Sequence, residues 1–155
     1  MKNNVTRFLE ARNVPFTAHE LPEEKLGAEE AAAALGVAPE LVYKTIVVLR
    51  QGRGKPVLAL APGNLEVDLK ALAKALGEKK VALSTQRQAE QLTGLQAGGI
   101  SPLALLNRGF EIVIDQSVQA HPEIVVSGGQ RGLNIQLTAQ ALIDLTGAKV
   151  AKIAR

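Results

Sequence analysis

The chain has 155 residues, 46% hydrophobic and 21% charged, with a formal charge of +3 and a pI near 9.3. That is enough chain to bury a core without staples and too apolar to be disordered, while the absence of cysteine excludes disulfides, thiolate metal sites and an enzyme-borne thiol nucleophile. Aromatic residues are only 3%, so an RNA surface cannot rely on a row of stacking rings, although the mild positive balance permits a phosphate-bearing partner.

In chain order, Asn4 is expected to cap a first helix whose Val5, Phe8 and Leu9 follow a helical period and which Asn13 and Pro15 end. Residues 16–21 read as extended. Residues 27–35 form an alanine-rich helix, with Glu29 and Glu30 in its first turn complementing the macrodipole and Gly36 as its stop. Residues 44–50 and 56–61 read as two strands joined by a glycine-bearing hairpin connection at 51–55.

Asp68 caps a helix over 69–76, where Leu69, Leu72, Ala73 and Leu76 fall on one face and Gly77 ends it. A short strand at 79–83 follows. Ser84 or Thr85 then caps another helix, Thr85 and Gln88 having the spacing of a capping box. Strands are expected at 110–115, 124–126 and 133–137, the last from its alternation of apolar and polar residues. Thr138 caps a final helix running to Gly147, and 149–153 closes the chain as a strand. No linker or composition break divides it, so residues 1–155 read as one α/β domain. No apolar run approaches the roughly 20 residues that span a bilayer, and residues 1–15 lack the layout of a secretion signal. The expected setting is cytoplasmic, with no membrane contact.

Three segments carry chemistry. Lys44 heads the apolar, β-branched run of the first hairpin strand, where an ammonium loses hydration unless a polar or anionic partner compensates. The plain alternative is an edge-strand lysine whose stem covers apolar surface while its head stays wet. Gly98-Gly99-Ile100-Ser101-Pro102 is either a loop with a proline-fixed exit or a bend whose glycines let the backbone approach a ligand and present free amides to a carbonyl or oxyanion. Ser127-Gly128-Gly129-Gln130-Arg131-Gly132 connects two strands, but three glycines in six residues exceed what a turn requires and suit an anion-binding nest. There Ser127 can donate a hydrogen bond, and Arg131 can face a phosphate or a structural carboxylate. His19 and His121 are the only side chains suited to base chemistry near neutral pH. His19 is the pocket candidate and His121, before Pro122, is incidental. Neither has the spaced partners of a zinc site, so no metal or other cofactor is expected.

Tyr43-Lys44-Thr45, Gly98-Gly99-Ile100-Ser101-Pro102 and Ser127-Gly128-Gly129-x-Arg131-Gly132-Leu133 occur in the order and spacing of the YbaK/EbsC (ProX-like) family. The chain resembles these free-standing aminoacyl-tRNA deacylases, relatives of the insertion domain of bacterial prolyl-tRNA synthetase, over nearly its whole length. The resemblance implies a curved mixed β-sheet flanked by helices. It also implies trans-editing, in which the ester of mischarged tRNA for proline is cleaved, because a pocket for proline cannot fully exclude smaller amino acids when a methylene is worth only about 1–3 kcal/mol. Lys44 matches the lysine on which activity in the family depends, Gly98 and Pro102 match its Gly-x-x-x-Pro element, and Ser127 matches a pocket serine.

On that resemblance Lys44, Gly98 and Ser127 are the expected catalytic set. Thr45, Gly99, Ile100, Ser101, Pro102, Gly128, Gly129, Arg131, Asn134 and His19 are the expected substrate-binding set. The attacking group comes from the substrate's own thiol, giving a cyclic thiolactone, or from water helped by a ribose hydroxyl. Two positions depart from the cysteine-specific pattern: Asn134 replaces a usual aspartate, and Leu21 stands where a tyrosine is common. These departures leave the reaction class standing and open the choice of amino acid: Cys-tRNA(Pro) is the first expected substrate, and Ala-, Ser- or Thr-charged tRNA the second. A non-catalytic module that binds an aminoacyl or nucleotide ligand is the rival. The expected partners are the acceptor end of tRNA and, through shared tRNA, prolyl-tRNA synthetase.

Overall fold

The computed structural model describes residues 2–52 and 54–155. Arg53, within the expected hairpin connection, lies outside the described residues. In order the elements are α1 (Asn4–Ala11), β1 (Thr17–Glu20), α2 (Ala28–Leu35), β2 (Tyr43–Arg50), β3 (Val57–Pro62), α3 (Leu69–Leu76) and β4 (Val81–Leu83), then α4 (Gln86–Thr93), β5 (Glu111–Asp115), β6 (Glu123–Ser127), β7 (Leu133–Thr138), α5 (Ala139–Thr146) and β8 (Lys149–Ala151).

The helix ends follow their local chemistry. Asp68, Thr85 and Thr138 accept from the amides of Ala71, Gln88 and Ala141, and Gly36, Gly77 and Gly147 close helices in the left-handed conformation. The first cap is a correction: Asn3, not Asn4, accepts from the Thr6 amide, while the Thr6 hydroxyl accepts from the Asn3 amide. Short 3-10 turns at Pro39–Leu41, Pro102–Ala104 and Gln116–Ala120 were not expected from the sequence. In two of them a proline at the first or second position pre-sets the tight backbone path.

The mixed sheet has the order β4-β2-β3-β5-β8, with β2 antiparallel to β3 and β4, and β3-β5-β8 parallel. It is joined to a separate antiparallel sheet, β1-β7-β6, through a single parallel bridge between Val42 and Val125. The expected curved sheet is thus two sheets meeting along β2.

β3 is buried along its full length because it feeds two cores. Leu58 and Leu60 pack with Tyr43, Ile114, Leu133 and Ile135 on one face. Val57 and Ala59 pack with Val48, Leu72 and Val113 under α3 on the other. Alternation along β2 therefore sends Tyr43, Thr45 and Val47 to one face and Lys44, Ile46 and Val48 to the other.

The chain end is also part of this architecture. The last strand stops at Ala151 rather than 153 because the Asp115 carboxylate takes the Ile153 and Ala154 amides, each at 3.0 Å. Arg155 then exchanges backbone hydrogen bonds with Glu66 just ahead of α3. Among the described residues, no helix is long and apolar enough to cross a membrane.

Candidate active site

The site follows from a gap in the ladder. Just ahead of β2, Val42 bridges Val125 of β6, and on the same edge away from β3 the pairing of β2 with β4 runs from Val48 to Arg50. Between these points Lys44, Thr45 and Ile46 have, among the described residues, no strand neighbour on that edge. A cavity of about 470 Å3 opens there, with α2 (Ala28, Ala31) on one side and Gly98, Ile100, Ser127 and Asn134 on the others. Because the cavity sits at an edge, Lys44 and Thr45 both line it although their side chains leave β2 on opposite faces.

The Lys44 stem is covered, with its side chain 19% exposed, and its amine lies 3.3 Å from Glu66, whose side chain is 83% exposed. Such a partner holds a cation loosely, since an ion pair with a freely hydrated carboxylate is worth about 0–1 kcal/mol. Thr45 is the opposite case. Its hydroxyl oxygen is buried and, among the described residues, has no hydrogen-bond partner. An unmet buried hydroxyl costs about 1–3 kcal/mol, which a ligand group in the cavity would recover. Tyr43, on the same wall, is committed to structure. Its hydroxyl shares a 2.6 Å hydrogen bond with Ser117, and burial pushes its pKa up, so it stays protonated.

The first glycine bend presents donors. Gly98 holds φ at +89°, a conformation that side-chain-bearing residues rarely adopt. Among the described residues the amides of Gly98 and Ile100 donate to no protein acceptor, whereas the Gly99 amide donates to Gln96. Both free amides belong to cavity-lining residues. Ser101 is fully buried and its hydroxyl accepts from the Leu103 amide, so it and Pro102 shape the bend from beneath rather than line the cavity.

The second bend is largely satisfied internally. The Gly128 amide donates to the Leu133 carbonyl, and the Gly129 amide donates to the Ser127 hydroxyl. Among the described residues Arg131 pairs with no carboxylate; its Nε donates to the Ala97 carbonyl at 2.7 Å. A Cβ on Gly99 would lie 2.9 Å from the backbone of Gln130 and Arg131, so the two bends are in direct contact. Asn3 fixes the far side of the second bend by donating to the Gly128 carbonyl at 2.9 Å.

Ser127 and Asn134 are cross-strand neighbours on β6 and β7, and His19 on β1 stands opposite Asn134. The row lies on one face of the small sheet, but only Ser127 and Asn134 reach the cavity. His19 Nε2 is engaged with Gln136 Oε1 at 2.8 Å, and Gln136 in turn donates to Glu123. Glu123 accepts only, so Gln136 must present its amide oxygen to the ring and His19 Nε2 carries a proton. Leu21 does not line the cavity; its amide donates to the Gly132 carbonyl.

Lys44, Thr45, Gly98, Ile100, Ser127 and Asn134 are therefore brought to one cavity, while Gly99, Ser101, Pro102, Gly128, Gly129, Arg131 and His19 stand behind it or beside it. Lys25 and Leu26 are lining residues that sequence reasoning missed. They sit in a segment without periodicity, placed by the long-range bond from Leu21 to Gly132. Among the described residues no three His, Asp or Glu side chains converge as a metal site. A second hollow of about 420 Å3 lies behind Gly129, and its lining carries no charged side chain.

The chain is similar over most of its length to known editing proteins. The model of the aminoacyl-tRNA editing domain matches residues 22–145. A protein of Enterococcus faecalis described as "Putative Cys-tRNA(Pro)/Cys-tRNA(Cys) deacylase EbsC" is 38% identical over 98% of this chain and 93% of its own length. A proline--tRNA ligase of Thermodesulfovibrio yellowstonii is 26% identical over 73% of this chain and 19% of the ligase. Among solved structures, one described as "a putative trans-editing enzyme for prolyl tRNA synthetase" superposes with a TM-score of 0.82 at 26% identity, covering 100% of this chain and 99% of the other.

Proposed function

The chain belongs to the aminoacyl-tRNA editing domain family, and from that premise we propose that it is a trans-editing deacylase cleaving the ester of mischarged tRNA for proline, with cysteine as the amino acid removed. The observation that carries this reading is that Gly98 and Ile100, whose amides have no protein acceptor among the described residues, line the same cavity as Lys44. An ester carbonyl becomes an oxyanion in the transition state, and preorganised amides stabilise that charge without reorganising. Lys44 adds a cation and holds the ester or the neighbouring phosphate in place. Ser127 can donate from its hydroxyl, which already accepts from Gly129.

No protein nucleophile is needed. With a cysteinyl ester, the substrate sulfur attacks the carbonyl carbon, the bond from that carbon to the ribose oxygen breaks, and the thiol proton ends on the released ribose hydroxyl. The products are a thiolactone and uncharged tRNA. With other esters, water attacks and the products are the free amino acid and tRNA.

A second reading, removal of serine, threonine or alanine, is favoured by the buried Thr45 hydroxyl and by Asn134, which both line the cavity as neutral polar groups. A site that hydrogen-bonds a substrate hydroxyl discriminates strongly through that contact. The deciding experiment offers the purified protein Cys-, Ala-, Ser-, Thr- and Pro-tRNA(Pro) side by side. The expected result is rapid loss of cysteine with Pro-tRNA(Pro) spared. Faster loss of serine, threonine or alanine favours the second reading, and release from none of them makes the chain a binding module. The expected partners are the tRNA acceptor end and, through it, prolyl-tRNA synthetase, in the cytoplasm where translation occurs.

A further inference from the structure

We propose that Lys25, flanking Gly98 together with Arg131, forms a phosphodiester subsite for an RNA 3′ end at the rim of the cavity. Two basic residues, Lys25 and Arg131, pack against the Ala97–Gly98 turn, and a third, Lys44, lines the same cavity. Lys44 and Lys25 both line the cavity, and the Arg131 guanidinium is tied to the Ala97 carbonyl. A Cβ at Gly98 would lie 3.3 Å from Lys25 Cα and 3.5 Å from Arg131 Cγ, which puts both basic side chains against the bend that presents the free amides.

Lys44 has the exposed Glu66 as its counter-charge, at 3.3 Å, but among the described residues neither Lys25 nor Arg131 forms an ion pair. The Lys25 amine donates to the neutral Gln86 side chain, and Arg131 Nε donates to a carbonyl. The one carboxylate in the cavity lining, Glu30, is turned back to cap the start of α2 through the Gly27 amide. An anionic ligand at this rim would supply the counter-charge that Lys25 and Arg131 lack.

Lys25 is also placed rather than free-swinging. Its segment is pinned upstream by the Leu21 amide on the Gly132 carbonyl, at 2.7 Å, and its own backbone packs against Gly98. A lysine so placed acts as a point charge for a phosphate and carries no base selectivity. The subsite deepens the deacylase reading and rests on it for the source of the phosphate, the backbone next to the esterified nucleoside.

The test measures binding of an uncharged, fluorescein-labelled RNA hairpin with a single-stranded CCA end across a salt series. Removing one cation from a phosphate lowers the slope of log affinity against log salt by about 0.7–0.9. Lys25→Ala is expected to lower the slope by that amount, Lys25→Arg to keep it, and Lys152→Ala, which removes one exposed charge outside the cavity lining, to leave it unchanged. Equal slopes for wild type and Lys25→Ala, an equal drop for Lys152→Ala, or no binding of the hairpin by wild type in low salt overturns the subsite. Ester cleavage by wild type is assayed in parallel. Cleavage with a Lys25-independent slope sinks the subsite alone, whereas a Lys25-dependent slope without cleavage of any ester leaves the subsite standing and removes the deacylase reading.

Discussion

In the bend at 98–102 the amides of Gly98 and Ile100, both cavity-lining residues, have no protein acceptor among the described residues, whereas in the bend at 127–132 the amides of Gly128 and Gly129 are taken up within the turn. The two segments are similarly rich in glycine, but the residues need it for different reasons. At Gly98 it permits a left-handed backbone that exposes a donor. In the second bend it permits close packing, against Leu133 at Gly128 and against the carbonyls of Leu21 and Pro22 at Gly132. A surplus of glycine therefore marks crowding as readily as it marks an anion nest. Only the fate of the amide hydrogens separates the two.

The largest effect that tests this contrast is on stability. Gly132 holds φ at +88°, and a Cβ there would lie 2.5 Å from the Leu21 carbonyl oxygen. Gly132→Ala should lose about 2–4 kcal/mol, from left-handed strain plus overpacking, read as a lower midpoint in urea denaturation. An unchanged midpoint would remove the packing explanation for the second bend.

Gly98→Ala should behave differently. Its Cβ meets the Lys25 backbone only at 3.3 Å, so the protein should fold with a loss of about 1–2 kcal/mol from strain. The displaced amide should lower kcat/KM for Cys-tRNA(Pro) by roughly 100-fold. If stability falls further than activity, the first bend is structural too.

A third test probes a fixed point away from both bends. Burial alone would raise the Asp115 pKa, but hydrogen bonds from Ser117 and from the Ile153 and Ala154 amides hold it below the ordinary carboxylate range. Asp115→Asn should lose roughly 1.5–3 kcal/mol at neutral pH. A carboxyl with a lowered folded pKa stabilises fully above its unfolded value of about 3.9 and loses that contribution as pH falls through the folded value. The stability gap between wild type and Asp115→Asn should therefore be flat from neutral pH to about 5 and close below about 4. A gap independent of pH contradicts the assignment.

The smallest effect belongs to Ser127, which starts the packed bend but lines the cavity. Loss of one neutral hydrogen bond in Ser127→Ala corresponds to about 0.5–1.5 kcal/mol, a 2- to 10-fold drop in kcat/KM. A drop beyond 100-fold would give Ser127 a role in the chemistry that this geometry does not.

Much of the fold was legible because its signals are local. Asp68, Thr85 with Gln88, and Thr138 cap where their side chains can reach an amide, and the β2–β3 hairpin follows from two apolar runs around glycines. Neighbouring asparagines defeated the same logic at the first helix, since Asn3 and Asn4 are equivalent until the Thr6 hydroxyl selects Asn3. The split into two sheets was not legible. It depends on where β4 and β6 leave β2, which is a property of long-range pairing.

Of the candidate site, Lys44, Thr45, Gly98, Ile100, Ser127 and Asn134 were found from residue type, order and resemblance. Arg131 was named as an anion ligand or carboxylate partner, yet its position as a clamp on Ala97 depends on the contact between bends. Lys25 was missed because nothing periodic or glycine-rich marks its segment, whose path is set by Gly132 more than 100 residues away.

The most direct measurement compares wild type with Lys44→Ala in the release of cysteine from Cys-tRNA(Pro), with the unfolding midpoint of each recorded alongside. An ammonium acting beside two free amides should be worth at least about 100-fold in rate, lost in the variant with little change in the midpoint, because the Lys44 ion pair is with a mostly exposed Glu66. Release by the variant at the wild-type rate would contradict the account, since the cavity would then be cleaving the ester without its cation.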